Sequence, residues 1–197
     1  MGHVRAYVGL GANVGDAAAT LAAAIAVLGE MPGTRLAGVS RLYATKPVGV
    51  EDQPEFRNAV VALDVPAGPD PATGALALLV ALKGIEKAFG RKRRKRWGPR
   101  EIDLDLLLFG RARLELDRPE AGRSRDPEKA ARLLVVPHRD AAERLFVLAP
   151  LSDLAAGLAP PGWGHTVDWA RRRRETVEDP DSVRPVGEWD PARKRWG

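Results

Sequence analysis

Residues Arg96 to Gly110 read R-W-G-P-R-E-I-D-L-D-L-L-L-F-G. Gly98-Pro99 marks a turn, and the run Ile102 to Phe109 is short, aliphatic and bounded by Gly and Pro, the pattern of a buried strand. Side chains alternate across a strand, so Asp103 and Asp105 project from one face with Cα atoms roughly 6–7 Å apart. Two ionised carboxylates that close repel each other and are costly on a buried strand without a cation. Hard oxygen donors so arranged suit Mg²⁺, which takes one or two carboxylates together with water and phosphate oxygens. Arg96 and Arg100 add positive charge where a polyphosphate would lie. The plainer reading is a sheet edge with two solvated aspartates; the R-W-G-P-R prefix favours the metal.

Upstream of this stretch stands R-K-R-R-K-R, Arg91 to Arg96. Six consecutive cations pack poorly, so an exposed loop is expected there, serving as a solvated run, a nucleic-acid patch or a polyphosphate clamp. Its position directly before Trp97 and the aspartate pair favours the clamp. Before it, Asp70-Pro71 opens a helix with Pro at its first position, running to about Phe89 and stopped by Gly90. Leu76, Leu79, Leu82 and Ile85 mark one side of that helix, and Lys83 and Glu86 another.

The N-terminal third alternates strand and helix patterns. Val4 to Leu10 is a predicted strand, and G-L-G-A-N-V-G-D follows at Gly9 to Asp16. It lacks the Gly-Lys-Ser/Thr of a P-loop and the spacing of a dinucleotide fingerprint, so a tight turn with Asp16 capping the next helix is expected. Residues 17–29 carry Leu21, Ile25 and Leu28 at helical spacing, with Gly29 at the stop. Arg35 to Tyr43 and Phe56 to Val65 read as strands. Between them T-K-P-V-G-V-E-D-Q-P-E-F-R-N, Thr45 to Asn58, is a loop ending in Asp52, Gln53, Phe56 and Asn58, side chains suited to hydrogen-bonding and stacking on a flat ligand. Phe56 and Asn58 share a strand face. An ordinary core aromatic is the plainer reading of Phe56.

Downstream, residues 114–132 form a polar excursion, Leu133 to Val136 a short strand, and Asp140 to Leu145 a helical turn before the apolar, Pro-interrupted run Phe146 to Leu151. His138 reads equally as ligand, phosphate donor or structural residue. From Asp168 the chain is charged, with R-R-R-R at 171–174. No internal repeat and no second hydrophobic core are evident, so one domain over 1–197 is expected, its core about 4–160, with a charged C-terminal extension at 168–197.

At 197 residues, 45% hydrophobic and 29% charged, the composition is that of a globular protein able to bury a core. No cysteine excludes disulfide and thiolate chemistry and fits a reducing cytoplasm. Met1 to Gly11 lacks the features of a signal peptide, and no run approaches membrane-spanning length. The net charge of +5 suits an anionic partner.

Four stretches carry a resemblance: Y-V-G-L-G-A-N-V-G-D, T-K-P-V-G-V-E-D-Q-P-E-F-R-N, R-W-G-P-R-E-I-D-L-D-L-L-L-F-G and V-P-H-R-D-A-A-E-R-L-F-V-L-A-P-L. In this order, over residues 4 to about 160, the chain resembles the 6-hydroxymethyl-7,8-dihydropterin pyrophosphokinases of folate biosynthesis. The resemblance implies an α+β, ferredoxin-like α-β sandwich with a mainly antiparallel central sheet and helices packed on it. It implies transfer of pyrophosphate from ATP to the pterin hydroxymethyl group with release of AMP.

By the same resemblance, Asp103 and Asp105 match the aspartates that hold two Mg²⁺ ions. Phe56 and Phe146 match the aromatics that sandwich the pterin, Asn58 a residue bonding its edge, and Thr45, Pro47 and Val48 the loop that closes on it. Arg91, Arg93, Trp97 and Arg100 match groups that hold the triphosphate and seal the site, with the two arginines of the loop counted as catalytic. Glu86, His138 and Arg144 match nucleotide contacts. No general base is evident, as suits phosphoryl chemistry governed by positioning and electrostatics.

The chain departs from the family pattern in places. The cationic loop is one residue shorter, Lys83 stands where glutamine is common, Arg139 where an aromatic is common, and the excursion at 117–132 is longer. Leu133 falls where a basic contact is expected, leaving Arg132 as its replacement. The expected partners are ATP and a dihydropterin, with no nucleic acid, no membrane and a monomeric state. Rival readings are a basic nucleic-acid module using Arg91–Arg96 and Arg171–Arg174, disfavoured by the carboxylate pair beside it, and an ATP hydrolase with another acceptor, disfavoured by the missing P-loop.

Overall fold

The computed structural model describes residues 2–47, 52–92, 98–120 and 132–197. Its elements run β1 (His3–Ala12), α1 (Ala17–Glu30), β2 (Arg35–Val39), β3 (Leu42–Thr45), β4 (Phe56–Pro66), α2 (Pro71–Ala88) and β5 (Asp103–Phe109). There follow β6 (Leu114–Asp117), β7 (Arg132–Val136), α3 (Leu145–Ala155), α4 (Val167–Glu175), β8 (Val183–Gly187), β9 (Trp189–Asp190) and β10 (Arg195–Trp196). The main sheet has strand order β5-β1-β4-β3-β8, with β2 also on β4. Every pairing in it is antiparallel.

Local signals explain the helices. Asp16 accepts from the Ala19 N–H and Asp70 from the Ala72 and Thr73 N–H groups, satisfying donors a helix start leaves open. Gly90, at φ 79°, ends α2 in a backbone conformation that favours glycine. Gly29 stays inside α1, and Gly33, at φ 70°, makes the turn instead. On α2 the buried stripe is Gly74, Ala75, Leu78, Leu82, Ile85 and Glu86. Leu76 and Leu79 are half-buried flanks, because the helix faces β5 about one residue away from the stripe read in the sequence.

The segment read as one strand, Arg35 to Tyr43, is two strands lying one after the other along β4. Ser40 makes the break: its N–H donates to the Val60 carbonyl and its Oγ accepts from the Val60 N–H, so a side chain takes over one rung of the ladder.

The sheet buries both faces. Ala6, Val8, Leu10 and Ala12 of β1 pack with α1 and α2, while Tyr7, Val60, Ala62 and Leu107 pack with α3 and α4. This corrects the expectation of one hydrophobic core: period-two alternation in the central strands feeds an apolar cluster on each side. Pro150 sits inside α3, where it lacks the N–H that would reach the Phe146 carbonyl.

The charged C-terminal stretch is ordered into the fold. Its α4 packs on α3, its β8 extends the sheet beside β3, and Trp189 and Trp196 meet edge-on at 4.8 Å against the α1 face. The polar excursion is a hairpin at its described ends, β6 pairing with β7. No helix among the described residues is long and apolar enough to cross a membrane.

Candidate active site

Strand register gathers the candidate residues on one face. Gly9 and Gly11 lie opposite Asp105 and Asp103 of β5 on one side and opposite Val60 and Asn58 of β4 on the other. Thr45 of β3 lies opposite Phe56. Directly opposed residues point the same way, so this row forms the floor of a cleft. The cleft measures about 150 Å³, and Phe146 and Val147 at the start of α3, with Arg144 and Arg100, wall it.

The glycines are the signal missed in the sequence. The expected turn after Leu10 is in fact strand, since β1 stays paired through Ala12. A Cβ on Gly11 would stand 2.9 Å from Asn58 Oδ1. Without side chains at Gly9 and Gly11 the floor is flat between the aspartates and the aromatics, and a planar ligand has room to lie there.

Strand β5 is a sheet edge at the cleft, so its outward backbone groups need partners. Buried Glu86 accepts from the Leu104 N–H at 2.7 Å, and Lys83 Nζ donates to the Leu104 carbonyl at 3.0 Å. Lys83 Nζ also meets Glu86 Oε1 at 2.8 Å, and Arg91 pairs with the same oxygen. Glu86 therefore sits behind the aspartates and fixes their strand and Arg91; it does not line the cleft.

The two aspartates differ. Asp103 is 19% exposed and pairs with Arg91 at 2.7 Å and with Arg100. Burial pushes its carboxyl up, but the charges of Arg100, Arg91 and Lys83 outweigh burial and hold it below the ordinary carboxylate range. Burial likewise opposes the charge on Arg91, and Asp103 and Glu86 more than restore it. Asp105 is 44% exposed and, among the described residues, pairs with Lys83 at 3.9 Å. Among the described residues no three His, Asp, Glu or Cys side chains converge on one point. Two carboxylates on one face with room beside them fit Mg²⁺, which completes its shell with water and substrate phosphate.

Asn58 donates from Nδ2 to Thr45 Oγ1 at 2.7 Å, leaving Oδ1 over the cleft floor beside Gly11. Phe56 and Phe146 both line the cleft, and the Arg144 guanidinium lies 5.8 Å from the Phe146 ring centroid. Arg144 is steadied by Asp140 at 2.5 Å. Pro47 and His138 do not line the cleft; the His138 N–H donates to the Leu107 carbonyl at 2.9 Å, at the far end of β5. Arg132 pairs with Glu115 and Asp117 across its own hairpin, away from the cleft. Val48, Arg93 and Trp97, and with them most of the expected arginine clamp, lie outside the described residues.

Asn13 also went unnoticed in the sequence. It is buried, and its Nδ2 donates to Gln53 Oε1 and the Pro54 carbonyl, each at 3.0 Å. Its Oδ1 accepts from the Arg100 N–H at 2.7 Å, and its own N–H donates to the Arg100 carbonyl at 3.0 Å. One amide thus ties the turn carrying Arg100 to the end of the 46–55 loop; an Asn just past the predicted strand, in G-L-G-A-N-V-G-D, is the sequence signal that would have found it.

Residues 7–156 match the family model described as 7,8-dihydro-6-hydroxymethylpterin-pyrophosphokinase. The chain is 43% identical over 161 residues to the 2-amino-4-hydroxy-6-hydroxymethyldihydropteridine pyrophosphokinase of Pseudomonas aeruginosa, covering 82% of this chain and 86% of that protein. It is 42% identical to the protein of the same name from Methylorubrum extorquens, covering 80% and 87%. A crystal structure of Plasmodium falciparum HPPK-DHPS with pterin and p-hydroxybenzoate superposes with a TM-score of 0.72 at 15% identity, over 99% of this chain and 48% of that one. The chain thus spans about half the length of that solved protein, and the likeness speaks to fold.

Proposed function

The chain belongs to the 7,8-dihydro-6-hydroxymethylpterin-pyrophosphokinase family, the ATP-dependent enzymes that pyrophosphorylate 6-hydroxymethyl-7,8-dihydropterin in folate biosynthesis, and we propose that it runs this reaction in the cleft floored by β1, β4 and β5. The observation that carries the reading is the shared floor: Asp103 and Asp105 stand across Gly9 and Gly11 from Asn58, with Phe56 and Phe146 beside them.

In this reading Phe56 and Phe146 stack on the pterin ring and Asn58 bonds its edge. The hydroxymethyl oxygen then points toward the aspartates. Arg91, Arg100 and Arg144, together with Arg93 and Trp97, hold the triphosphate in line, which is most of what phosphoryl chemistry asks of a protein. Asp103 and Asp105 hold two Mg²⁺ ions, which when bound neutralise the phosphate charge. The pterin oxygen forms a bond to the β-phosphorus, the bond from that phosphorus to the α–β bridging oxygen breaks with its electron pair kept by AMP, and the hydroxyl proton passes to solvent. Thr45 borders the pterin, and Glu86 acts from behind the strand. The working unit is a monomeric, single-domain cytoplasmic enzyme.

The test is incubation with ATP, Mg²⁺ and 6-hydroxymethyl-7,8-dihydropterin. Pterin-dependent AMP is expected, with a product heavier by two phosphates. ADP as the nucleotide product, or nucleotide turnover indifferent to the pterin, contradicts the reading.

A further inference from the structure

We infer that the segment 179–187, which lies beyond the family-matched residues 7–156, is a strap that positions the pterin side of the cleft by gripping both ends of the 46–55 loop, with Arg184 as its key positioning residue; the inference rests on the activity proposed above. The loop joins Thr45, where β3 ends, to Phe56, where β4 begins, and both residues line the cleft.

At the first end, Thr45 is paired with Phe56 on one side and with Val183 on the other. The next N–H, of Lys46, donates to the Ser182 carbonyl at 3.1 Å, and Lys46 Nζ reaches Asp179 at 2.7 Å. At the second end, Arg184 Nη2 donates to both oxygens of Glu55, at 2.6 and 2.8 Å. Arg57 adds a looser approach to Glu55 at 3.4 Å. These bonds hold the Glu55 carboxyl below its ordinary range, the Arg184 hydrogen bond first among the causes.

Remove this segment and β3 becomes a sheet edge at the very residues that border the cleft, and edge termini fray. The path into the site is short. Thr45 Oγ1 accepts from Asn58 Nδ2 and so sets which way the Asn58 amide faces over Gly11. Arg184 does not itself line the cleft; it acts by fixing where Glu55, and therefore Phe56 next to it, begins β4. The ATP side, built on β5 and on Arg100, has no bond to the strap among the described residues.

The prediction is a split between substrates. Arg184→Ala should raise KM for the pterin roughly three- to fivefold, the range a partly exposed ion pair spans, while KM for ATP, kcat and Tm stay close to those of the unaltered chain. The exchanged pair, Arg184→Glu with Glu55→Arg, should recover most of the pterin KM. An unchanged pterin KM in Arg184→Ala, or equal rises in both KM values, or a fall in Tm without recovery in the exchanged pair, overturns the strap. If the unaltered chain forms no AMP, the activity falls and the strap with it; if it forms AMP normally while Arg184→Ala is indifferent, only the strap falls.

Discussion

Two carboxylates, Asp105 of β5 and Asp153 of α3, make a useful pair. Asp153, on α3, accepts from the Arg41 N–H at 3.1 Å, from Arg41 Nη2 at 2.7 Å and from the Tyr43 hydroxyl at 3.0 Å, and is 16% exposed. It lies in a cavity of about 460 Å³, larger than the candidate active site, and the other charged side chains lining it, Arg171, Glu175 and Glu178, are likewise paired. The hydrogen bond to Asp153 keeps Arg41 firmly charged, and burial, then the Asp153 charge, pushes the Tyr43 hydroxyl up. Among the described residues Asp105 is ion-paired by Lys83 at 3.9 Å, feels the charge of Arg91, and opens onto the cleft. Asp153 is engaged by Arg41 and Tyr43 and ties them to α3, whereas Asp105 stands beside Asp103 on a cleft floor, where an incoming cation and phosphate find a place. Size of cavity does not decide function here; two carboxylates side by side on a cleft floor do.

The largest expected effect therefore falls on the cleft. Asp103→Asn or Asp105→Asn should lower turnover by roughly a thousandfold, with Tm within a few degrees of the unaltered chain, read by AMP formation and thermal melting. Near-normal turnover in either variant would erase the distinction drawn between the cleft carboxylates and Asp153.

Asp153→Ala should do the reverse. It leaves Arg41 and Tyr43 without their partner and should cost about 2 kcal/mol of stability, a drop in Tm of about 4–8 °C, with turnover per folded molecule kept within about threefold. Loss of turnover without loss of stability would move this cavity into the reaction.

Phe56→Ala and Phe146→Ala sharpen the contrast inside the cleft. Each should weaken pterin binding by very roughly 1–3 kcal/mol, by analogy with base stacking, and ATP binding by less; calorimetry on both ligands checks it, and equal losses would make these plain packing aromatics.

Much of this was legible because it is local. Asp70-Pro71 and Asp16 announce their helices by cap chemistry, and D-L-D on an aliphatic run announces a face by the strand period. What was not legible depends on partners far away in the chain. The split at Ser40 comes from two bonds to Val60, and the hold of Glu86 on β5 shows only once Leu104 is placed beside it. Gly9 and Gly11 read as a turn because nothing local says that β4 and β5 will pair with them on both sides. The C-terminal stretch reads as a charged tail because its arginines pair with Asp168, Glu175 and Glu178 at helical spacing, which composition alone conceals.

The smallest expected effect concerns acid. Glu55 has a depressed folded-state pKa, so what it adds to stability is complete above its ordinary value of about 4.3 and is lost as pH falls through the lower, folded value. The Tm difference between the unaltered chain and Glu55→Gln should be constant from about pH 7 to 5 and shrink toward zero at more acid pH. A difference that grows on acidification would mean the Arg184 bond does not favour the ionised form.

Whether Asp103 and Asp105 ligate cations beside a phosphate is read by counting Mn²⁺, a spectroscopic stand-in for Mg²⁺, on the chain with a non-hydrolysable ATP analogue and the pterin. Two tightly held ions on the unaltered chain are expected, with at least one lost in Asp105→Asn and none lost in Asp153→Asn. Full Mn²⁺ occupancy in Asp105→Asn would contradict the account.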